Sequence, residues 1–158
     1  MAGDLGPGSK APKFKLPTEN GDTLTLADFK GKNLVLFFYP KADTPGCTKE
    51  SIAFSKLKGA FTKANTEVVG VSADPVAKQK AFKKKHGLKM PLIADEAHEM
   101  IGDYGAWGEK SLYGRKFMGI IRMTFLIGTD GRIAQIWPKV RVEGHAEEVL
   151  EAAQALSS

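Results

Sequence analysis

Cysteine is scarce in this chain, which has one among its 158 residues. A single cysteine cannot form a disulfide within the chain. It also cannot build a zinc site from four cysteines, or from two cysteines and two histidines. A lone cysteine is either a small buried hydrophobic residue or a reactive thiol. The sequence around Cys47 must therefore decide between these two roles.

Long hydrophobic runs and arginine are also scarce. No apolar run reaches the ~18 residues that a membrane span needs, and residues 1–4 carry neither a basic patch nor an apolar stretch. We therefore expect no secretory signal, no membrane association and a cytoplasmic location.

The net charge of +5 comes mostly from lysine, since arginine makes up only four of the 23 basic residues. The densest basic run, residues 83–85, is interpreted as a solvated helix face rather than a phosphate-binding patch, and no nucleic-acid partner is expected.

The composition, 42% hydrophobic and 26% charged, is typical of a globular protein with a substantial core. Residues 1–13, rich in glycine, proline and lysine, predict a flexible leader, followed by a single domain over 14–158. Apolar runs bounded by turn residues predict strands at 14–16, 23–26, 34–39, 67–72, 92–94, 120–127 and 132–137. Helical periodicity and start signals predict helices at 45–62, 75–87, 95–104 and from 143 or 144 to 156.

Strands that alternate with helices indicate a central sheet with helices on both faces. The predicted hairpin over 120–137 makes this sheet mixed, and the turn at 20–22 closes an N-terminal hairpin. This order of elements is the thioredoxin-like arrangement, so the predicted fold class is α/β.

The segment after the predicted strand 34–39 carries the most informative residues. Ligands and chemistry collect at this end of the strands in open α/β sheets. Thr44 is a good N-cap and Pro45 suits the next position, which makes Cys47 the third residue of the first helical turn. The free N–H groups of that turn, the helix dipole and the Thr44 hydroxyl would each favour the nucleophilic thiolate. Gly46 leaves the approach uncrowded. Simple packing of Cys47 is the alternative, and it does not explain Pro40, Thr44 and Gly46 at these spacings.

Pro40, Thr44 and Cys47 form the pattern Pro-x-x-x-Thr-x-x-Cys, which resembles the active-site signature of peroxiredoxins. The stretches FFYPKADTPGCTKE, VVGVSADP and YGAWGEKSLYGRKFMGIIRMTFLI are similar to the branch called bacterioferritin comigratory protein or peroxiredoxin Q. The resemblance covers nearly the whole chain after the leader. It implies that the Cys47 thiolate attacks a peroxide oxygen and becomes a sulfenic acid. It also implies that Thr44 holds sulfur and substrate, that Pro40 shields the site from water, and that Arg122 lies beside the sulfur.

The residues around Arg122 support its assignment independently. An arginine within the apolar stretch 120–127 is costly unless it is paired with a thiolate or a carboxylate. Glu50 is the alternative partner, as a purely structural carboxylate. The two pairings are compatible, because Glu50 could orient the guanidinium toward Cys47.

The sequence departs from the family pattern in lacking a second, resolving cysteine. Ile52 occupies one common position for that residue, and 81–85, another common region, contains no cysteine. The resemblance therefore implies a one-cysteine mechanism with an external thiol reductant: glutathione, glutaredoxin or thioredoxin. The substrates would be hydrogen peroxide and organic hydroperoxides. We expect a monomer without cofactor or metal.

Two other functions are alternatives to the peroxidase. A disulfide oxidoreductase usually needs Cys-x-x-Cys, and Glu50 stands where the second cysteine would be. A non-enzymatic redox sensor or holdase on the same scaffold remains the alternative. The three histidines, His86, His98 and His145, lack metal-ligand spacing and are predicted to lie on the surface.

Overall fold

The computed structural model describes residues 5–157, along which strands and helices alternate. The strands are β1 (Lys15–Pro17), β2 (Thr23–Thr25), β3 (Asn33–Phe38), β4 (Thr66–Ser72), β5 (Leu92–Ala94), β6 (Trp107–Leu112), β7 (Arg115–Ile120), β8 (Met123–Ile127) and β9 (Ile133–Trp137). The helices are α1 (Pro45–Lys56), α2 (Lys58–Lys63), α3 (Val76–His86), α4 (Glu99–Asp103) and α5 (His145–Ser157). Leu26–Phe29 forms a 3₁₀ turn.

Five strands form the central sheet in the order β5-β4-β3-β8-β9. β3, β4 and β5 run parallel, whereas β8 pairs antiparallel with both β3 and β9. All six residues of β3 are buried, as its continuous apolar sequence predicts for a central strand covered on both faces. The predicted mixed sheet and α/β fold class are thus confirmed.

Alternate residues of β3 point into two separate cores, one on each face of the sheet. Leu34, Leu36 and Phe38 pack with residues of α4. Val35 and Phe37 pack on the other face, where the core includes residues of α1, α2, α3 and α5 as well as Cys47. Cys47 is therefore a buried member of the core on this face of the sheet.

The predicted strand 120–127 is wrong, because the chain forms two strands with a break between them. Trp107 pairs with Ile120 in a separate hairpin of β6 and β7, which the sequence analysis missed. The chain then leaves this hairpin and joins the central sheet, where Met123 pairs with Phe38. Arg122 therefore lies between two strands and not inside one.

Other boundaries differ less. The predicted helix 45–62 is divided at Leu57 into α1 and α2, and the helix predicted at 95–104 is the shorter α4. Residues 1–4, on which the expectation of no secretory signal rests, lie outside the described residues. Within the predicted leader, the Gly8 N–H donates to the Ile133 carbonyl at 2.8 Å and Ala11 is buried, so this part is attached to the sheet edge rather than loose.

Within residues 5–157, no helix is both long enough and apolar enough to cross a membrane.

Candidate active site

The loop between β3 and α1 places Cys47 at the carboxyl end of the central strand. Thr44 has the extended backbone of an N-cap, and Pro45 is the first helical residue. The first helical hydrogen bond runs from the Thr48 N–H to the Thr44 carbonyl at 2.8 Å. Cys47 is thus the third residue of the first turn, as predicted, and only 1% of its surface is exposed.

Contrary to the prediction, the Thr44 hydroxyl makes no hydrogen bond to the sulfur of Cys47. It donates to the carbonyl of Lys41 at 2.8 Å and makes no side-chain capping bond. Asp43 adopts a left-handed backbone conformation with φ of 63°, which turns the loop back on itself. A hydroxyl has one proton, and in Thr44 that proton is held inside the loop.

Arg122 bridges the thiol and a carboxylate with its two terminal nitrogens. Nη1 donates to Glu50 Oε1 at 2.6 Å, and Nη2 donates to Cys47 Sγ at 3.3 Å. Cys47 and Glu50 are three residues apart in α1, so both side chains lie on the same helix face. The two partners predicted for Arg122 are therefore engaged together.

The pKa values of Arg122 and Glu50 depend on their burial and on the charges beside them. Burial opposes the charged form of Arg122, but the neighbouring Glu50 and Cys47 outweigh it and raise the pKa of the guanidinium. Burial raises the pKa of Glu50 from 4.5 to about 7, against the opposing pull of Arg122. The cation beside Sγ is thus permanent.

Gly46 makes room for this cation. A Cβ atom at Gly46 would lie 3.2 Å from Nη2 of Arg122, closer than an ordinary contact. Gly46 was predicted to leave the approach to Cys47 uncrowded, and Arg122 is the group that a side chain at this position would crowd.

Comparison with known families decides where the chain belongs. Residues 7–136 match the family described as AhpC/TSA. The chain belongs to the AhpC/TSA family. The match includes the loop, the start of α1 and Arg122.

Relatives of this AhpC/TSA protein are peroxiredoxins over nearly its whole length. The chain is 46% identical over 143 residues to the putative peroxiredoxin bcp of Coxiella burnetii, covering 90% of this chain and 95% of that protein. A cysteine-to-serine mutant of PrxQ from Xylella fastidiosa has a similar structure, with TM-score 0.92, 35% identity and 98% of each chain covered. The bacterioferritin comigratory protein of Xanthomonas campestris, studied for its alkyl peroxide reduction activity, gives TM-score 0.87 and 38% identity over 92% of each chain.

These likenesses confirm the predicted peroxiredoxin family and thioredoxin-like fold. The AhpC/TSA protein is an oxidoreductase that reduces peroxide with a thiol. The alternative of a non-enzymatic sensor or holdase is not favoured.

His145 was predicted to lie on the surface, and the structure contradicts this. It is 3% exposed, its Nε2 lies 2.8 Å from Thr124 Oγ1, and its ring meets Phe54 and Trp137 edge-on. Burial is the main cause that lowers the pKa of His145 to about 4. The sequence offers little indication of this burial, since a histidine at the start of a helix is equally compatible with exposure to solvent.

The other two histidines are half-buried and bound to neighbours. His86 and Lys85 both lie 2.9 Å from the carboxylate of Asp43, and these bonds, His86 foremost, hold the pKa of Asp43 below its usual value. His98 stacks on Trp107 with ring centres 4.4 Å apart. Across residues 5–157, no group of three or more histidine, cysteine, aspartate or glutamate residues has the arrangement to hold a metal ion.

Lys110 is a second cation near the site that the sequence analysis did not identify. Its ammonium donates to the Ile120 carbonyl at 2.9 Å. Burial, followed by the charge of Arg122, lowers the pKa of Lys110. Pro40 lies half-buried at the start of the loop, and its shielding role remains a prediction.

Proposed function

We propose that this protein reduces hydrogen peroxide and organic hydroperoxides by a one-cysteine mechanism, with Cys47 as the nucleophile and an external thiol as the reductant. The observation that carries this proposal is the 3.3 Å contact between the Arg122 guanidinium and the only thiol of the chain. The sulfur is placed in the first turn of α1, where free N–H groups and the helix dipole also favour negative charge.

In the first step, the Cys47 thiolate attacks the OH-bearing oxygen of the hydroperoxide. A sulfur–oxygen bond forms while the oxygen–oxygen bond breaks, so the sulfur is oxidised to a sulfenic acid and the peroxide is reduced. The leaving alkoxide or hydroxide takes up a proton and departs as alcohol or water. Arg122 stabilises the negative charge as it moves from sulfur to the leaving oxygen.

The other predicted site residues support this step. Gly46 allows the guanidinium to approach, and Glu50 holds it in place through Nη1. Thr44 keeps the lone pairs of its oxygen for the substrate, because its proton is donated to Lys41. Pro40 would limit the access of water to the sulfenic acid.

In the second step, an external thiol attacks the sulfenic acid, which releases water and leaves a mixed disulfide with Cys47. A second thiol resolves this disulfide and returns Cys47 to its reduced form. Thioredoxin, glutaredoxin or glutathione would supply these thiols. We include a monomeric state and a cytoplasmic location in the proposal, because a reducing compartment keeps such donors available.

The substrate range rests partly on the relative from Xanthomonas campestris, which has been studied for alkyl peroxide reduction. We extend that substrate class to this protein because the two chains share a fold at 38% sequence identity. No metal or cofactor has a part in either step.

Steady-state turnover of the Cys47→Ser variant tests the proposal. The variant should fold, as judged by circular dichroism, and should consume no peroxide with any thiol donor. Ser51→Ala is a matched control, since the Ser51 hydroxyl is buried in the same helix without a hydrogen-bond partner among the described residues. The control should keep full activity, and turnover by Cys47→Ser would refute the proposal.

The one-cysteine mechanism has a separate test by mass spectrometry. One equivalent of peroxide should add a single oxygen atom to the wild-type protein, and the sulfenic-acid reagent dimedone should trap the product. Oxidised protein that accumulates as a disulfide-linked dimer would contradict the assignment of an external reductant.

A further inference from the structure

Asp74 stands outside the site described above, yet its carboxylate is bound to the loop that carries Thr44. It follows β4, just before α3, and only 8% of its surface is exposed. Its Oδ2 accepts two hydrogen bonds, from the Ala42 N–H at 2.7 Å and from the Ser72 hydroxyl at 2.7 Å. A buried carboxylate bound to a backbone N–H makes a strong, charge-assisted contact.

The N–H of Ala42 and the carbonyl of Lys41 belong to one peptide group. That carbonyl accepts the Thr44 hydroxyl at 2.8 Å. Asp74 therefore binds the N–H of this peptide group, and Thr44 binds its carbonyl. A charged acceptor at the N–H polarises the peptide group and strengthens the bond at its carbonyl.

We infer that Asp74 is a positioning residue of the peroxidase reaction, which acts through the Lys41–Ala42 peptide group to commit the Thr44 proton to the loop and leave its oxygen as an acceptor for the hydroperoxide O–H. This inference rests on the proposed function. Thr44 then binds the substrate only in the orientation in which the hydroperoxide is the donor, and it does not compete for the thiolate.

The Ile93 carbonyl fixes the orientation of the Gln79 amide in the network behind Asp74. The Ile93 carbonyl can only accept, so the Gln79 amide nitrogen donates to it at 2.9 Å and to the Ser72 oxygen at 2.8 Å. The Gln79 oxygen then accepts the Tyr39 hydroxyl at 2.6 Å. Ser72 consequently has its own proton free to donate to Asp74. This buried network links the Asp74 carboxylate to α3, to β5 and to Tyr39 at the end of β3.

The sulfur is held by different contacts. Arg122 reaches Cys47 from the residue before β8 and is fixed by Glu50 on α1. Neither contact passes through Asp74. Loss of the Asp74 carboxylate should therefore disturb the reaction with a substrate that needs Thr44, while the thiolate keeps its reactivity toward a reagent that does not.

The test compares two rate constants of Cys47 in Asp74→Ala and Asp74→Asn at one pH. We expect Asp74→Ala to lower the rate with hydrogen peroxide about 10- to 100-fold, because small displacements of a positioning group have effects of that size. Alkylation by iodoacetamide, which reports the thiolate alone, should stay within about twofold of wild type. Asp74→Asn should restore part of the peroxide rate, since the amide oxygen can accept the same two hydrogen bonds but carries no charge.

A double variant shows whether Asp74 acts through Thr44. Thr44→Val alone removes the acceptor, so adding Asp74→Ala should lower the peroxide rate no further, whereas independent residues would lower it additively. A parallel fall of the iodoacetamide rate, or additive losses in the double variant, would overturn the inference. If Asp74→Ala does not fold, Asp74→Glu applies the same criteria, because it keeps the charge but moves it by one methylene. Failure of the proposed function itself would be seen separately, as absence of turnover by the wild type.

Discussion

Arg122 and Cys47 meet where the first turn of α1 faces the residue before β8, with Nη2 3.3 Å from Sγ. The other nitrogen of the same fork binds Glu50 at 2.6 Å. Only a planar guanidinium can hold two acceptors in this way, because its N–H groups have fixed directions. Arg122 lies in the break between β7 and β8, and this position brings its side chain to the sulfur. The contact therefore does not need the continuous strand that was predicted over residues 120–127.

Arg122→Lys should abolish most of the activity and leave the fold intact. A lysine ammonium is a point charge that cannot contact Glu50 and Cys47 with the same fixed geometry. We expect the second-order rate constant with hydrogen peroxide to fall about 100-fold, as for removal of one electrostatic contact to the transition state. Stopped-flow measurement of peroxide consumption checks this.

Arg115→Lys is the matched control, since Arg115 is exposed in β7. It should keep the wild-type rate constant. A rate for Arg122→Lys close to that of the control would show that charge alone is sufficient and that the fork has no role.

Gly46→Ala should lower activity without a loss of stability. The new Cβ would lie 3.2 Å from Nη2 of Arg122, so the guanidinium must move by a few tenths of an ångström from its place beside Cys47 and Glu50. We expect the peroxide rate constant to fall about 10-fold, given the sensitivity of reacting groups to small displacements. Gly59→Ala in α2 is the control, because a Cβ there meets nothing within 4 Å. It should gain about 0.5–1 kcal/mol of stability from helix propensity with unchanged activity, and equal rates for the two variants would contradict the steric argument.

The features that the sequence predicted well depend on nearby residues. The apolar run of β3 is buried on both faces whichever helices cover it. Thr44 and Pro45 mark a helix start by their own backbone preferences, which placed Cys47 in the first turn. The Arg122 pairing was also predictable, because a guanidinium in an apolar segment must find an anion.

The features that the sequence did not predict depend on contacts between residues far apart in the chain. Residues 115–127 contain no turn signal at Ile121, and the break arises because Ile120 pairs with Trp107 while Met123 pairs with Phe38. The Thr44 hydroxyl donates to the Lys41 carbonyl in a loop where Asp43 has a left-handed backbone. Aspartate tolerates that conformation without requiring it, so the sequence alone leaves the direction open.

Glu50→Gln should change how stability depends on pH. Burial raises the pKa of Glu50 from 4.5 to about 7. Between these values the folded state keeps a proton that the unfolded state has released, so the contribution of Glu50 to the free energy of unfolding falls as pH rises. The fall is at most about 3 kcal/mol. Relative to Glu50→Gln, the wild type should therefore lose stability from about pH 4.5 to about pH 7, measured by urea unfolding across this range. A difference that stays constant would show that Glu50 remains ionised in the folded protein.

His145→Gln should change the pH dependence in the opposite direction. Burial lowers the pKa of His145 from 6.5 to about 4, so between these values the unfolded state holds a proton that the folded state lacks, and stability falls as pH falls. The full shift corresponds to about 3 kcal/mol, and we expect about 2 kcal/mol because the first residue of α5 can loosen when the ring is protonated.

Urea unfolding of wild type, His145→Gln and Glu50→Gln in the same buffers separates the two effects. Below about pH 6.5 the wild type should lose stability relative to His145→Gln, while it gains stability relative to Glu50→Gln. The two contributions oppose each other between about pH 4.5 and 6.5, so the wild type should be less sensitive to pH there than either variant. A slope of zero in either comparison would show that the corresponding buried group has the same pKa in the folded and unfolded states, and slopes of the same sign would show that one of the two pKa shifts has the opposite direction.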